Sequence, residues 1–471
     1  MKKVLALSLV LLALMSAFCF NVSAEELPGP ENKVSVYLNG FEVIFDVPAR
    51  LIGDRTMVPI RRIAEVLDCE VKWSGDTSKI IITRNTDKFE LTIGKNELYK
   101  NDRLHYVMDT CPIIIEEAGE SRTLVPLRAL SEAFGCTVDW DSENRRALVR
   151  FISEDTIVGA GDHNITRDLF DYFATNITLN YQGTPEISEN DDEVKLLEDH
   201  VLNSLYQLCA VKKMASSFGI SIYDPVITES IDNALNEYKN YYGENFETIL
   251  KQSHMTENVF KEMLYTTFFE NTISEISEAK AMTASADVKT YELYKYDEFI
   301  RAAHILVESE DVANVLHEKA KIANEEEFFA LAKEYSIDTG LISNPEGYYF
   351  LPGEMVVEFE NAAFDLRENE TSGIVKTDYG YHIIRRLPKN YDYILKNISD
   401  FFSKYLNYRY LSSIEDYARS LAATAEKYES YNKIDFFREY VLPAQKMLSE
   451  TLKNNLESET AIEEKDYSKV M

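Results

Sequence analysis

An internal repeat constrains the fold of the N-terminal part of this chain more than any other feature. The segment R-T-M-V-P-I-R-R-I-A-E-V-L-D-C-E-V-K-W at residues 55–73 returns at 122–140 as R-T-L-V-P-L-R-A-L-S-E-A-F-G-C-T-V-D-W, with nine of nineteen positions identical. Each copy runs from an alternating stretch through a V-P turn into a short helical pattern, then into a strand pattern that ends in tryptophan. The repeat predicts a duplicated β-rich domain over residues 33–152, with one helix per copy.

This duplicated unit resembles the stalk domain that is named after the N-terminal region of copper amine oxidases. The resemblance does not imply copper, because His105 is the only histidine in the region and copper sites favour clustered imidazoles. We therefore expect no metal and no cofactor.

Two arginines occupy matching positions at the start of each predicted helix, Arg61 and Arg128. One interpretation is that they bind a surface polymer. The other is that they pair with Glu65 and Glu132, one helical turn further on. Both interpretations stay open at the level of sequence.

The first residues carry the pattern of a secretory signal peptide. Two lysines precede an apolar run at 4–20, and V-S-A at 22–24 supplies small residues for cleavage. Phe18 stands before Cys19, where lipoprotein processing needs a small residue, so we expect no lipid anchor. An uncleaved membrane anchor is the alternative. No other run approaches the ~20 apolar residues of a membrane span, and we expect residues 25–471 to be secreted, in an extracytoplasmic and cell-surface setting.

Composition limits the partners. The chain has 49 Lys and Arg against 80 Asp and Glu, a formal net charge of −31, which argues against a nucleic-acid partner. Its 471 residues allow about three domains. Four cysteines follow the signal segment without a C-x-x-C motif, so free thiols and disulfides both remain open for Cys69, Cys111, Cys136 and Cys209.

Residues 155–297 have a helical pattern. Thr166 is a candidate N-cap, apolar residues recur at helical spacing over 194–218, and G-I-S-I-Y-D-P at 219–225 ends that helix. A second helical region follows at 390–457, and the tail at 458–471 is polar.

Two strings later in the chain place a histidine in an apolar strand pattern: R-A-A-H-I-L-V at 301–307 and Y-G-Y-H-I-I at 379–384. Alternation puts each histidine on the face of its apolar neighbours, so both imidazoles should point inward. Amphipathic helices are predicted between them at 311–323 and 325–335. A further helix is predicted from about Pro352, with Met355, Phe359 and Ala363 on one face.

The order strand, helix, helix, loop, helix, strand, strand resembles the parvulin family of peptidyl-prolyl cis/trans isomerases over residues 298–389. The chain departs from that family where N-P-E-G-Y-Y-F replaces a glycine-rich G-G/D-L-G segment. The resemblance implies catalytic roles for His304, Asp338, Thr377 and His382, and a proline pocket of Phe350, Met355 and Phe359.

The helical regions at 155–297 and 390–457 resemble the split chaperone lobe of secreted foldases of the PrsA and SurA types. The predicted fold class is therefore multidomain α+β, with a duplicated β-rich stalk, a helical lobe and an inserted parvulin-like domain. The resemblance implies a foldase that acts on unfolded secreted proteins with X-Pro bonds, with a cell-wall polymer as candidate ligand of the stalk. The alternatives are a non-catalytic holdase chaperone and a cell-surface binding protein with a degenerate parvulin fold.

Overall fold

The computed structural model describes residues 33–117, 120–451 and 453. It divides into two compact units, one formed by residues up to 273 together with those from 414, the other by residues 274–413. The predicted signal peptide at 1–24 and the polar tail at 458–471 lie outside the described residues. Among the residues described, no helix combines the length and apolar character needed to cross a membrane.

The first unit begins with three small sheets, of strand orders β12-β13-β1-β2, β10-β11-β4-β3 and β5-β6-β7-β8-β9. Their strands are β1 (Ser35–Leu38), β2 (Phe41–Glu42), β3 (Arg50–Ile52), β4 (Arg55–Pro59), β5 (Glu70–Ser74), β6 (Lys79–Arg84), β7 (Asp87–Thr92), β8 (Glu97–Lys100), β9 (Arg103–Val107), β10 (Ile113–Glu117), β11 (Glu120–Pro126), β12 (Thr137–Asp141) and β13 (Arg146–Arg150). Two short helices accompany them, α1 (Ile60–Val66) and α2 (Leu127–Ala133).

The two copies of the repeat have the same local structure. In each copy a strand ends at a proline, Pro59 or Pro126, whose φ near −60° leads directly into the helix. Strands β4 and β11 pair antiparallel, so the copies meet along their strands. The cysteines of both copies, Cys69 and Cys136, are buried free thiols in one shared apolar core.

The ion pairs of these helices differ between the copies. Arg128 lies 4.0 Å from Glu132, as one interpretation of the repeat predicts. In the first copy Glu65 instead pairs with Arg62, at 3.5 Å, so the expected pairing with Arg61 is wrong there. Arg62 Nε also donates a hydrogen bond to the backbone carbonyl of Ile44. This bond holds the Arg62 side chain on the side of the helix where it meets Glu65.

The rest of the first unit is mostly helical. It contains β14 (Thr156–Ala160), β15 (His163–Thr166), α3 (Arg167–Asn180), α4 (Asp192–Ser217), α5 (Pro225–Tyr242), α6 (Phe246–Gln252) and α7 (Glu257–Thr283). A C-terminal segment returns here, where the short strand β20 (Glu426–Lys427) pairs with β14 and Tyr431 contacts the ring of Phe170. Helix α3 begins after Thr166, as predicted, but the Thr166 hydroxyl donates to Asp168 and caps no backbone amide.

The second unit is built around one four-stranded antiparallel sheet of order β17-β16-β19-β18. Its elements are α8 (Ala286–Lys295), β16 (Ile300–Val307), α9 (Glu310–Ala320), α10 (Glu325–Tyr335), α11 (Gly340–Ser343), β17 (Tyr348–Phe350), α12 (Val357–Asp365), β18 (Thr371–Thr377), β19 (Gly380–Leu387), α13 (Tyr391–Lys396) and the first part of α14 (Ile398–Thr424).

Strand β16 is buried along its whole length because apolar layers cover both faces of the sheet. Ala303 and Ile305 face the layer of α9 and α10, with Phe328 at its centre. Ile300 and Ala302 face the opposite layer, which includes residues of α12. The alternation of the strand therefore assigns each residue to one of two cores.

The compact unit extends beyond the predicted limits of 298–389. Lys389 Nζ donates to the backbone carbonyls of Leu293 and Tyr296 at the end of α8, at 3.3 and 2.7 Å. Tyr349 stacks on Tyr393 with ring centroids 5.3 Å apart. These contacts attach α8 and α13 to the sheet of the second unit.

Candidate active site

The two histidines of the strand patterns lie side by side on one face of the sheet. His304 pairs across the ladder with Ile384, and Leu306 pairs with His382, so the imidazoles are diagonal neighbours. Their ring centroids are 5.2 Å apart. Both side chains are buried, as the alternation predicts.

Asp338 reaches this face because residues 336–338 attach to the open edge of β16. The Leu306 amide donates to Ser336 Oγ at 3.0 Å, and the Ile337 amide donates to the Leu306 carbonyl at 2.8 Å. Strand β17 pairs only with the first part of β16, at residues 300–302, which leaves this later edge free. Residues 336–338 are thus held to the backbone of Leu306 immediately before the Asp338 carboxylate.

The Asp338 carboxylate is held by three partners. His304 Nε2 lies 2.7 Å from Oδ2, and the Tyr348 hydroxyl donates to the same oxygen at 2.5 Å. The Gly340 amide donates to Oδ1 at 2.9 Å. Charge-assisted bonds of this kind fix both the orientation of the carboxylate and the ring of His304.

His382 is oriented by a residue of β18, the strand that neighbours β19. Thr377 Oγ1 lies 2.8 Å from His382 Nε2 and accepts a bond from the Tyr379 amide at 3.1 Å. The hydroxyl still has its proton and a second lone pair, so the tautomer of His382 sets the direction of this bond. The Nδ1 atoms of His304 and His382 are both buried without a hydrogen-bond partner in the described residues.

An aromatic ring forms the floor beneath the histidines. Phe359 of α12 has its ring centroid 5.2 Å from that of His304 and 5.5 Å from that of His382. Phe350 lies behind Phe359 at 6.1 Å, and Met355 packs against the same cluster. The three predicted pocket residues and the two histidines are therefore in one place.

The predicted helix from Pro352 is wrong in its start. Helix α12 begins at Val357, and Met355 lies in the preceding turn. Gly353 adopts a positive φ of 86°, and the Glu360 carboxylate accepts from the amides of Gly353 and Met355, at 2.8 and 3.3 Å. The amides of Gly353 and Met355 thus have hydrogen-bond partners without being part of the helix. Met355 reaches the aromatic cluster from this turn and not from a helical position.

Burial and hydrogen bonding set the charges in the site. Burial lowers the pKa of His382 to about 4, and the nearby His304 acts in the same direction. Burial also lowers the pKa of His304, against the opposing effect of Asp338. Burial alone would raise the pKa of Asp338, but the bonds from Tyr348, Gly340 and His304 together bring it below its usual range. At neutral pH the site therefore holds two neutral imidazoles and one carboxylate.

The segment that follows β16 is acidic. Its residues, Glu308 to Asp311, are all exposed, and the last two of them begin α9. None of the four is basic. Tyr379, two residues after Thr377, is 68% exposed.

Sequence reasoning missed two residues of this arrangement, Ser336 and Tyr348. Ser336 could have been noticed only as part of the S-I-D string. Tyr348 could have been found from its period-2 relation to Phe350, which places both on one face of a strand. The strand itself, β17, is three residues long and was predicted as loop.

Two family models match this chain. Residues 304–387 match the PPIC-type PPIase domain, and residues 37–149 match the copper amine oxidase N-terminal domain. The second unit thus contains a PPIC-type peptidyl-prolyl isomerase domain, in a multidomain protein of mixed helical and β structure.

Curated relatives define the family more closely. The foldase protein PrsA of Geobacillus kaustophilus is 40% identical over 165 residues, which cover 34% of this chain and 54% of that protein. The foldase protein PrsA 4 of Bacillus cereus is 34% identical over 219 residues, covering 45% of this chain and 70% of the relative. The chain belongs to the PrsA foldase family. It spans about half the length of the first of these relatives.

Among solved structures, the crystal structure of a peptidylprolyl isomerase (PrsA) from Bacillus anthracis is 25% identical and covers 47% of this chain and 96% of that chain, with a TM-score of 0.25. That score is too low to carry an argument about architecture.

Proposed function

We propose that this protein is an extracytoplasmic peptidyl-prolyl cis/trans isomerase and foldase that acts on secreted proteins. The observation that carries the proposal is the pair of buried imidazoles that lie beside the Asp338 carboxylate and against the ring of Phe359. The signal-peptide pattern at 1–24 supports the extracytoplasmic setting.

The chemistry of such a site is rotation about a bond, without a covalent intermediate. The barrier for an X-Pro amide is about 18–20 kcal/mol, and the uncatalysed change takes tens to hundreds of seconds. A site lowers this barrier if it binds the twisted, less conjugated amide better than either planar form. Each roughly 1.4 kcal/mol of such preference is worth a factor of ten in rate.

The side chains divide this task by their chemistry. Phe350, Met355 and Phe359 hold the proline ring in apolar contact. His304, His382 and Asp338 surround the amide with polar groups, and Thr377 orients His382. The two imidazoles add no charge beside the uncharged amide, and the Asp338 carboxylate is already engaged by His304, Tyr348 and Gly340.

The acidic segment at 308–311 limits the substrate. A phosphoryl group before the proline would be repelled by Glu308, Glu310 and Asp311, whereas recognition of phosphate uses arginine or lysine. The substrate is therefore an unmodified X-Pro bond in an unfolded or partly folded chain.

An assay with the full chain tests both parts of the proposal. Paired peptides that contain Ser-Pro or phosphoserine-Pro are followed by NMR exchange. We expect faster exchange of the Ser-Pro peptide and no gain for the phosphopeptide. If the full chain leaves the exchange rate of the Ser-Pro peptide unchanged, the proposed isomerase activity is contradicted. If the phosphopeptide exchanges faster than the Ser-Pro peptide, the assigned substrate is contradicted.

We propose a second function for the β-rich domain, namely the binding of an uncharged cell-wall glycan. Both tryptophans of the chain occur at matching repeat positions, and both are unusually exposed, Trp73 at 50% and Trp140 at 40%. Trp140 lies in a cleft of about 280 Å³ whose lining also contains Tyr106, Arg128 and Asp139.

The lining of this cleft fits a sugar chain. Exposed indole and phenol rings stack on the apolar face of a pyranose, and planar charged groups of both signs bind its hydroxyls. The lining contains two arginines and three aspartates, which are Arg55, Arg128, Asp54, Asp109 and Asp139. It therefore has no excess of positive charge, and the strongly acidic chain would repel a polyanion.

Retention of the full chain on purified cell-wall glycan tests this second function. We expect Trp140→Ala to lose retention. The matched control is Trp73→Ala, because Trp73 occupies the equivalent repeat position and does not line this cleft. Equal retention of wild type and Trp140→Ala would exclude the cleft as the site.

A further inference from the structure

We infer that Tyr348 is a positioning residue of the active site, whose hydroxyl holds Asp338 in the orientation that engages His304. This inference rests on the proposed isomerase function. It concerns the segment in which the chain departs from the parvulin pattern, N-P-E-G-Y-Y-F. There, a tyrosine side chain enters the site from strand β17.

The register of the sheet brings Tyr348 to this place. Tyr348 pairs with Ala302, so its side chain lies on the face of His304, and the ring centroids of Tyr348 and His304 are 5.4 Å apart. Ala302 is small and leaves the face free for the phenol ring. The hydroxyl then meets Asp338 Oδ2 at 2.5 Å.

Gly340 provides the space for the hydroxyl. A Cβ added at Gly340 would stand 2.1 Å from the Tyr348 hydroxyl oxygen and 3.0 Å from Asp338 Oδ1. The first contact requires movement and the second is tight, so the glycine gives the Tyr348 hydroxyl room to reach Asp338. The tyrosine and the glycine thus form one arrangement around the carboxylate.

The hydroxyl has a definite chemical task. Asp338 Oδ2 receives both Tyr348 and His304, so removing the phenol proton donor leaves a partly buried carboxylate with fewer bonds. Burial and the bond to Asp338 raise the pKa of Tyr348, so the phenol stays protonated and remains a donor. An ionised Asp338 in turn keeps the proton of His304 on Nε2 and its Nδ1 lone pair free.

The test is Tyr348→Phe in the full chain, with Tyr349→Phe as matched control. The Tyr349 hydroxyl accepts from the Asn390 amide and lies on the other face of the sheet. For Tyr348→Phe we expect kcat/KM for an X-Pro peptide to fall about tenfold at neutral pH. The Asp338 carboxyl should take up its proton at higher pH, because it loses one of its three hydrogen-bond partners. Tyr349→Phe should change neither quantity.

An NMR measurement separates this inference from the proposed function. The Asp338 carboxyl shift and the His304 nitrogen shifts report protonation and tautomer whether or not the protein is an isomerase. We expect Tyr348→Phe to raise the pKa of Asp338, and Gly340→Ala to do the same by displacing the hydroxyl. An unchanged Asp338 titration in both variants overturns the inference, even if activity falls. A wild type without isomerase activity contradicts the proposed function and leaves this titration as the deciding result.

Discussion

At the scale of single residues, the site depends on two imidazoles that stay uncharged because they are buried. His382 contacts Thr377 and the ring of Phe359, and His304 contacts Asp338. None of these neighbours provides a second carboxylate that would stabilise an imidazolium at His382. The protonation of His382 is therefore the step that should end activity in acid.

The pH dependence follows from this. The pKa of His382 is about 4 in the folded chain, against about 6.5 for an unperturbed histidine. We expect the isomerisation rate to be constant from about pH 8 to about pH 6 and to fall as His382 takes up a proton in more acidic solution. In the unfolded chain His382 takes up its proton at higher pH than in the folded chain. The free energy of unfolding is therefore unaffected by this group above about pH 6.5, and it decreases as pH falls from there towards about 4.

The measurement is a pH–rate profile of the full chain, with histidine NMR as the direct readout of His382. Circular dichroism at each pH shows whether the protein is still folded. A His382 titration near its unperturbed value would contradict the assignment of burial as the controlling cause.

Thr377 allows a second prediction at this scale. Thr377→Val preserves the shape of the side chain and removes the hydroxyl that orients His382. We expect kcat/KM to fall roughly tenfold, about 1.4 kcal/mol, because the imidazole loses its fixed partner. Thr377→Ser keeps the hydroxyl and should retain most activity. Equal activity of the valine and serine variants would show that the hydroxyl has no such role.

The strand patterns alone predicted two inward histidines, whereas Asp338 and Thr377 were expected only from the resemblance to the parvulin family. The sequence could not predict Tyr348, since the bond to Asp338 depends on three segments that are distant in sequence and on the absence of a Cβ at Gly340. Contacts of that kind appear only when strands are in register.

At the scale of elements, the presence of a helix was predicted better than the residues at which it begins and ends. The amphipathic stretch at 325–335 coincides with α10, whose start is fixed by a capping box between Asn324 and Glu327. The start of α12 was missed because the turn before it depends on the Glu360 carboxylate, which lies within the helix. A three-residue strand such as β17 has too little pattern to be distinguished from loop.

That turn gives an element-scale prediction. Glu360→Ala removes the acceptor for the amides of Gly353 and Met355. The turn that presents Met355 should loosen, so KM for an X-Pro peptide should rise roughly fivefold, about 1 kcal/mol, with kcat little changed. Steady-state kinetics measures this directly.

The matched control is Glu358→Ala, because Glu358 is an exposed carboxylate on the same helix. Its removal should leave KM and kcat as in wild type. A parallel rise of KM in both variants would assign the effect to charge and not to the turn.

At the scale of the whole molecule, isomerisation and binding of unfolded chains should be separable. The active site lies in the unit at 274–413, whereas the helical part of the other unit has an apolar cleft of about 380 Å³ lined by Tyr172, Phe173 and Tyr181 among others. Apolar surface of this kind binds unfolded chains without any catalytic group.

We expect Asp338→Ala to lose isomerase activity and still suppress aggregation of a denatured client. Tyr181→Asp places a charge in the cleft and should do the reverse, weakening suppression while peptide isomerisation stays at the wild-type rate. Light scattering and a peptide assay on the same preparations measure the two activities. Loss of both activities in either variant would contradict the separation.

The most direct test of the account is the X-Pro isomerisation rate of the full chain against that of His382→Ala and Asp338→Ala, at equal concentration and with folding checked by circular dichroism. The account predicts catalysis by the wild type and a loss of at least about tenfold in each folded variant. Rates in both variants equal to that of the wild type would contradict the assignment of this site as the isomerase centre.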